Sequence, residues 1–188
     1  MFSRCVLSET MFDRVYFAPY GQFQMVKVKS GKGNSMPDKL QITVIALNIS
    51  PEKGTAKTSV PSVEIDRKGV VGDAHRGTAG RNVSLLNRKL VDELAASSEI
   101  DEIPCGAMGE NITFSINGCG SPATGDTVRI GEVLMRIETI GKQCKGEGCS
   151  IFQAIGRCVM PAYGIFCSVS SGGTLRTGMS GEIIPGID

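Results

Sequence analysis

Apolar and polar positions alternate along much of the chain with a period near two, interrupted by glycine-bearing turns. Ile42 to Leu47 (ITVIAL) is a short apolar run, Val60 to Ile65 alternates loosely, and Arg81 to Leu86 (RNVSLL) leads into a different period. Leu90, Val91, Leu94 and Ala95 then fall at the spacing that lays one apolar stripe along a helix. Asn87 suits its N-cap, and the helix should end near Ser97 or Ser98. Strands follow over Ile112 to Ile116 and Thr127 to Ile130. Gly131 and Glu132 then form a two-residue hairpin loop into the strand Val133 to Ile140. A short helix over Ser150 to Gly156, a strand over Gly164 to Val169, a turn at Gly172 and Gly173, and a closing strand over Gly181 to Ile184 complete the pattern. About eight short strands with two helices predict a mainly β fold, closed or nearly closed as a β-barrel so that sheet edges are removed. A β-sandwich is the alternative.

The first 36 residues fall outside this pattern. Six of the ten aromatic residues lie among the first 23, and the breaker Ser30 to Ser35 (SGKGNS) precedes Met36 and Pro37. Residues 1–36 are therefore read as an N-terminal extension, disordered or not native, with Met36 as the natural start and a docking arm as the functional alternative. The domain proper is expected over 37–188.

Composition narrows the function classes. A chain of 188 residues that is 41% hydrophobic can bury one core without staples. Twenty Lys and Arg against nineteen Asp and Glu leave a net charge of +1, too little field to hold nucleic acid or an anionic membrane surface. No apolar run approaches the ~20 residues of a membrane span, and no secretory signal is visible, so a cytoplasmic location is expected. There, seven cysteines should be mostly reduced, and an odd count suits a closed disulfide framework poorly.

Cys144 follows the longest strand in a glycine-bearing loop between Lys142 and Lys145. An exposed, electropositive setting favours thiolate over thiol, which makes Cys144 the best nucleophile in the chain; an idle surface cysteine is the plain alternative. Cys144 and Cys149 could form a redox pair, or join Cys158 around a zinc ion, although the spacing is not that of a tight knuckle. Cys167 sits in an apolar alternation and reads as core. His75 is the sole histidine, so any imidazole chemistry must be its own. With Asp73, Arg76 and Arg81 it forms a donor-rich loop suited to a phosphate, or simply a solvated one. Glu110 and Asn111 enter a strand from a flexible turn, either to line a site or to form the turn.

Taken in order, Gly69 to His75 (Gly-x-x-Gly-Asp-x-His), the segment from Arg81 (Arg-x-Val-Ser-Leu-Leu), Gly109 to Ile112 (Gly-Glu-Asn-Ile), the Gly125-Asp126 and Ile130-Gly131 turns, and the late-strand Cys144 resemble the MOSC family. This family takes its name from the C-terminal domain of molybdenum cofactor sulfurases. The likeness spans about residues 40 to 185 and is nearest to short stand-alone bacterial members. It implies a MOSC-type β-barrel and a sulfur carrier or sulfurtransferase role in molybdenum cofactor metabolism, with Cys144 bearing a persulfide received from a cysteine desulfurase. Pyridoxal phosphate belongs only to that partner, and the acceptor is the molybdenum cofactor or a molybdoenzyme. Carried over by position, His75, Arg76, Arg81, Glu110 and Asn111 would line the cofactor pocket, the arginines facing the pterin phosphate. The alternatives are a cofactor-delivery module with Cys144 as a molybdenum ligand, and a zinc-stabilised interaction protein.

Overall fold

The structure is a computed structural model that describes residues 39–98, 100–143, 152–153 and 156–186. The chain divides into two units, Met1–Pro37 and Asp38–Asp188, and the described residues belong to the second. They form eleven strands and two helices: β1 (Leu40–Ile49), β2 (Thr58–Val60), β3 (Ser62–Asp66), β4 (Gly69–Val70), β5 (Val83–Asn87), α1 (Arg88–Ser97), β6 (Ile112–Asn117), β7 (Thr127–Ile130), β8 (Val133–Ile140), α2 (Met160–Tyr163), β9 (Ile165–Ser171), β10 (Gly173–Arg176) and β11 (Ser180–Ile184).

Seven strands close on themselves in the order β1-β11-β7-β8-β9-β5-β6 and back to β1, with β2 attached to the far half of β1. Closure settles the barrel over the sandwich. The first half of β1 pairs with β11 (Leu40 to Thr43 against Ile183 to Ser180) and the last three residues with β2 (Leu47 to Ile49 against Val60 to Thr58). Between them the register against β6 shifts from Val44 to Ala46, a bulge that lets one strand serve two neighbours. The bulge explains why ITVIAL reads as a continuous apolar run: Ile45 turns outward at 39% exposure while Ala46, Leu47 and Asn48 all turn in.

Inward-facing residues such as Ile42, Phe114, Ile130, Met135 and Ile137 fill the barrel. The hairpin expected at Gly131-Glu132 is present, with Ile130 opposite Val133. Helix α1 begins where Asn87 accepts a bond from the Lys89 N–H (3.1 Å) and runs to Ser97. It packs Val91 and Ala95 onto a second, smaller apolar cluster containing Leu86, Ile103, Met108, Met160 and Phe166.

Three departures from the sequence pattern have local causes. Val60 to Ile65 is not one strand, because Pro61 has no N–H for a ladder; β2 stays with the barrel, whereas β3 joins β4 and β10 in a separate three-stranded sheet. Gly173 is not only a turn but the first residue of β10, opposite Ile65. Helix α2 is a single turn starting beside Pro161, too short to produce a period. The helix expected over Ser150 to Gly156 falls mainly outside the described residues, although Phe152 and Gln153 are helical. Among the described residues, no helix is long and apolar enough to cross a membrane.

Candidate functional site

At one end of the barrel a cavity of about 300 Å³ opens beside the second cluster, which contributes Met108, Met160 and Phe166 to its wall. The chain reaches it from five places. Lys53, Gly54 and Thr55 come from the loop after β1; His75, Thr78 and Arg81 from the loop before β5; Met108 and Gly109 from the turn before β6; Lys142 and Gln143 from the end of β8; Met160, Pro161 and Phe166 from α2 and the start of β9. Ser84, Phe152 and Cys158 complete the lining. Lysine, arginine and histidine are present, and none of the described lining residues is acidic. In a chain of net charge +1 this concentrates positive potential in one concavity, while Met108, Met160 and Phe166 supply an apolar wall. The Arg81 guanidinium and the Lys142 ammonium lie 5.9 and 5.5 Å from the centre of the Phe166 ring, within cation–π reach.

Beneath the His75 loop lies a buried ion pair. Lys57 Nζ donates to Asp73 Oδ2 at 2.6 Å, and the two side chains are 1% and 0% exposed. Asp73 also accepts from the backbone N–H of Ser50 (3.2 Å) and of His75 (3.0 Å), and His75 Nδ1 lies 3.4 Å from its other oxygen. Burial alone would raise the Asp73 carboxyl, but the His75 and Lys57 contacts outweigh it and hold the group far below the usual carboxylate range. Burial pulls the Lys57 ammonium below its ordinary value, an effect that the Asp73 bond only partly offsets.

Glu110 and Asn111 face inward under the same loop and are 1% and 2% exposed. Glu110 Oε1 accepts from the Gly106 N–H and the Thr113 hydroxyl, both at 2.7 Å, while its Oε2 has no hydrogen-bond partner. Asn111 ties β5 to β1: its Oδ1 accepts from the Ser84 N–H (3.1 Å), and its Nδ2 donates to the Asn48 carbonyl (3.2 Å). These two residues hold the Cys105–Asn111 turn against β1 and present Met108 and Gly109 to the cavity; neither lines it. Gly106 is required there, since its φ is +84° and a Cβ would stand 2.3 Å from the Lys57 carbonyl oxygen.

Burial raises the Glu110 carboxyl above its ordinary value, so the native state holds this proton more tightly than the unfolded chain does. Its contribution to stability is full below the ordinary glutamate range and is lost as pH rises through the raised value. Glu110→Gln, which mimics the protonated side chain, should therefore gain stability relative to the parent as pH increases. Urea unfolding across the pH range checks this, and a constant difference between the two proteins would contradict it.

Of the residues suggested by sequence, His75 and Arg81 meet in the cavity. Arg76 does not line it; its guanidinium pairs with Asp66. Cys144 and Cys149 lie outside the described residues, as does the zinc set they would form with Cys158. Gln143, which immediately precedes Cys144, lines the cavity. Cys105 and Cys167 are free thiols, whereas Cys119 is disulfide-bonded. Cys167 is 0% exposed in the core, and burial pushes its thiol up. Asp126 of the Gly125-Asp126 turn is structural, accepting from the N–H groups of Ala123 (2.7 Å) and Gly186 (3.1 Å). Sequence reading missed Lys53, Thr78 and Phe166, which sit in separate segments and carry no local motif. Among the described residues, no group of His, Cys, Asp and Glu is arranged to hold a metal ion.

The segment that leads into Cys144 is held at the end of β8. Gly141 donates to the Gly164 carbonyl (2.7 Å) and Lys142 to the Pro161 carbonyl (3.0 Å), which clamps the strand end to α2.

The fold is thus a closed seven-stranded barrel with a basic, partly apolar cavity at its end. The chain belongs to the MOSC domain family, whose model matches residues 72–180, a family associated with molybdenum cofactor sulfurase-like proteins. The fold is shared with the YuaD protein from Bacillus subtilis at 19% identity and a TM-score of 0.64, over 78% of this chain and 97% of that one. YiiM from Geobacillus stearothermophilus matches at 16% identity and a TM-score of 0.59, over 77% and 75% of the two chains. YiiM from Escherichia coli matches at 16% identity and a TM-score of 0.56, over 81% and 72%. No curated protein matches the sequence significantly.

Proposed function

We propose that this protein is a sulfur carrier, or sulfurtransferase, of molybdenum cofactor metabolism, with Cys144 as the carrying thiol and the barrel-end cavity as the place where the cofactor is met. The reading is supported chiefly by one observation. A cavity lined by Lys53, Arg81, Lys142 and His75, with no carboxylate among its described lining, also contains Gln143, the residue next to Cys144. Those cations suit a phosphate ester, and the wall of Met108, Met160 and Phe166 suits a flat ring system, so the donor set fits a phosphorylated pterin. Lys142 and Lys145 flank the thiol and favour its thiolate.

The loading step is a sulfane-sulfur exchange. The Cys144 thiolate attacks the terminal sulfur of a desulfurase persulfide, the donor cysteine leaves as thiolate, and Cys144 carries the persulfide without net oxidation. Passing the terminal sulfur on to the molybdenum cofactor, as substrate, at the sulfide level breaks the S–S bond, takes two electrons from an external thiol reductant, releases the displaced oxygen as water and returns Cys144 as its thiolate. A cofactor-binding and delivery role, with Cys144 as a ligand to molybdenum, rests on the same cavity and requires no persulfide.

Intact mass measured without reductant, after incubation with a cysteine desulfurase and cysteine, separates the two. The carrier reading expects a gain of one sulfur that reductant reverses and that Cys144→Ser abolishes. Equal mass gain in parent and variant would overturn it. No gain in either, with molybdenum and pterin co-purifying in equal amounts, would favour the delivery role.

A further inference from the structure

We infer that Phe166 is a positioning residue for anion binding: its ring holds Arg81 and Lys142, two cations from separate elements, in place for an anionic ligand. The inference rests on the reading of the cavity as an anion site and assigns the group that prepares it.

The ring is the fixed partner. Phe166 is 6% exposed and belongs to the second apolar cluster, with Leu86, Met108 and Met160. Its backbone lies between two strands, opposite Ser84 of β5 and Thr139 of β8. Both strands run antiparallel to β9. Arg81 precedes Ser84 by three residues and Lys142 follows Thr139 by three, so the chain brings them toward the ring from opposite directions along β9. Both charged groups nonetheless lie over it, the Arg81 guanidinium at 5.9 Å and the Lys142 ammonium at 5.5 Å from its centre.

What the ring supplies follows from what the two cations lack. Arg81 and Lys142 are exposed residues with long side chains, and like charges that share a cavity drive each other toward solvent. None of the ion pairs among the described residues includes either of them. A carboxylate would order them by neutralising them, and would then compete with an anion. An aromatic face attracts a cation through its quadrupole and carries no net charge. It therefore orders both groups and leaves their positive charge for the ligand, so less side-chain freedom is lost when the anion binds.

Inorganic sulfate is the probe, with the full chain. Replacing Phe166 site-specifically by mono-, di- and trifluorophenylalanine keeps the shape of the side chain and weakens the negative ring face step by step. A residue that only fills space is indifferent to that change. Sulfate affinity should fall in the same order, by about fivefold to tenfold at the trifluoro ring. With Arg81→Gln or Lys142→Gln in the background, the trend should become about half as steep. Phe166→Leu, which stays apolar but has no ring, should bind sulfate no more tightly than the trifluoro protein does.

A flat series overturns the inference and leaves Phe166 as packing. Affinity that rises with fluorine content also overturns it, because that is the sign expected of a ring face in direct contact with the anion. A trend equally steep in both glutamine variants does the same, by removing the cations from the effect. Absence of sulfate binding in the parent removes the anion-site reading and this inference together, whereas binding with a flat or rising series removes the inference alone.

Discussion

Asp73→Ala should lower the unfolding free energy by about 3–5 kcal/mol, because it leaves the Lys57 ammonium buried without a counter-charge. The pair lies under the cavity loops, with Lys57 1% exposed, so water cannot replace the lost partner. Removing both charges should cost much less: Asp73→Ala with Lys57→Met should recover most of the loss, giving a coupling of about 2–3 kcal/mol in a double-mutant cycle. The acid side adds a second signature. The Asp73 carboxyl is depressed in the folded state, so its contribution is present above the ordinary carboxylate range and disappears as pH falls toward the depressed value. The parent should therefore lose stability at strongly acid pH more steeply than the double variant does. Urea titrations at neutral and acid pH measure both effects, and an Asp73→Ala cost below about 1 kcal/mol would mean that Lys57 finds water or another partner.

Gly141→Ala should combine a stability loss of about 2 kcal/mol or more with a disproportionate loss of cavity function. Gly141 has φ +79°, and a Cβ there would stand 2.5 Å from the Pro161 carbonyl oxygen. Backbone on both sides of the contact is committed, since the same Pro161 oxygen accepts the Lys142 N–H. Relief therefore requires β8 and α2 to separate, which displaces Lys142 and Gln143, the residues that lead into Cys144. Sulfate affinity and persulfide loading should both fall in a variant whose barrel still unfolds cooperatively. Retention of both activities would show that the strand end does not set the geometry of the site.

The parts of the fold that were legible in the sequence are those in which neighbours in sequence are also neighbours in space. The β7–β8 hairpin announced itself through Gly131-Glu132, and α1 through Asn87 and a four-residue apolar stripe. The barrel followed from strand number and turn density. Less legible was what depends on distant pairing. The split at Pro61 sends two halves of one apparent strand to different sheets, and the bulge at Ile45 serves two neighbours that are far apart in sequence. The site divides in the same way. His75 and Arg81 share one loop and could be associated from sequence, whereas Lys53, Lys142 and Phe166 converge only through barrel closure. Glu110 and Asn111 show the opposite ambiguity. A polar pair at a strand start looks alike whether it faces a ligand or ties strands together, and only Asn48, Thr113 and Ser84 beside it distinguish the cases.

The odd number of strands in the ring has a topological consequence. Around any closed ring the reversals of direction must be even in number, so seven strands cannot all be antiparallel to their neighbours. Six junctions reverse direction and one does not: β5 and β6 run parallel, with Leu85 opposite Ile112. A parallel junction cannot be closed by a tight turn and needs a long return path, here α1 and the Cys105–Asn111 turn. That return path supplies Met108 and Gly109 to the cavity and covers the second apolar cluster. Parity of the ring thus obliges the chain to carry a long excursion, and part of the cavity is built from it.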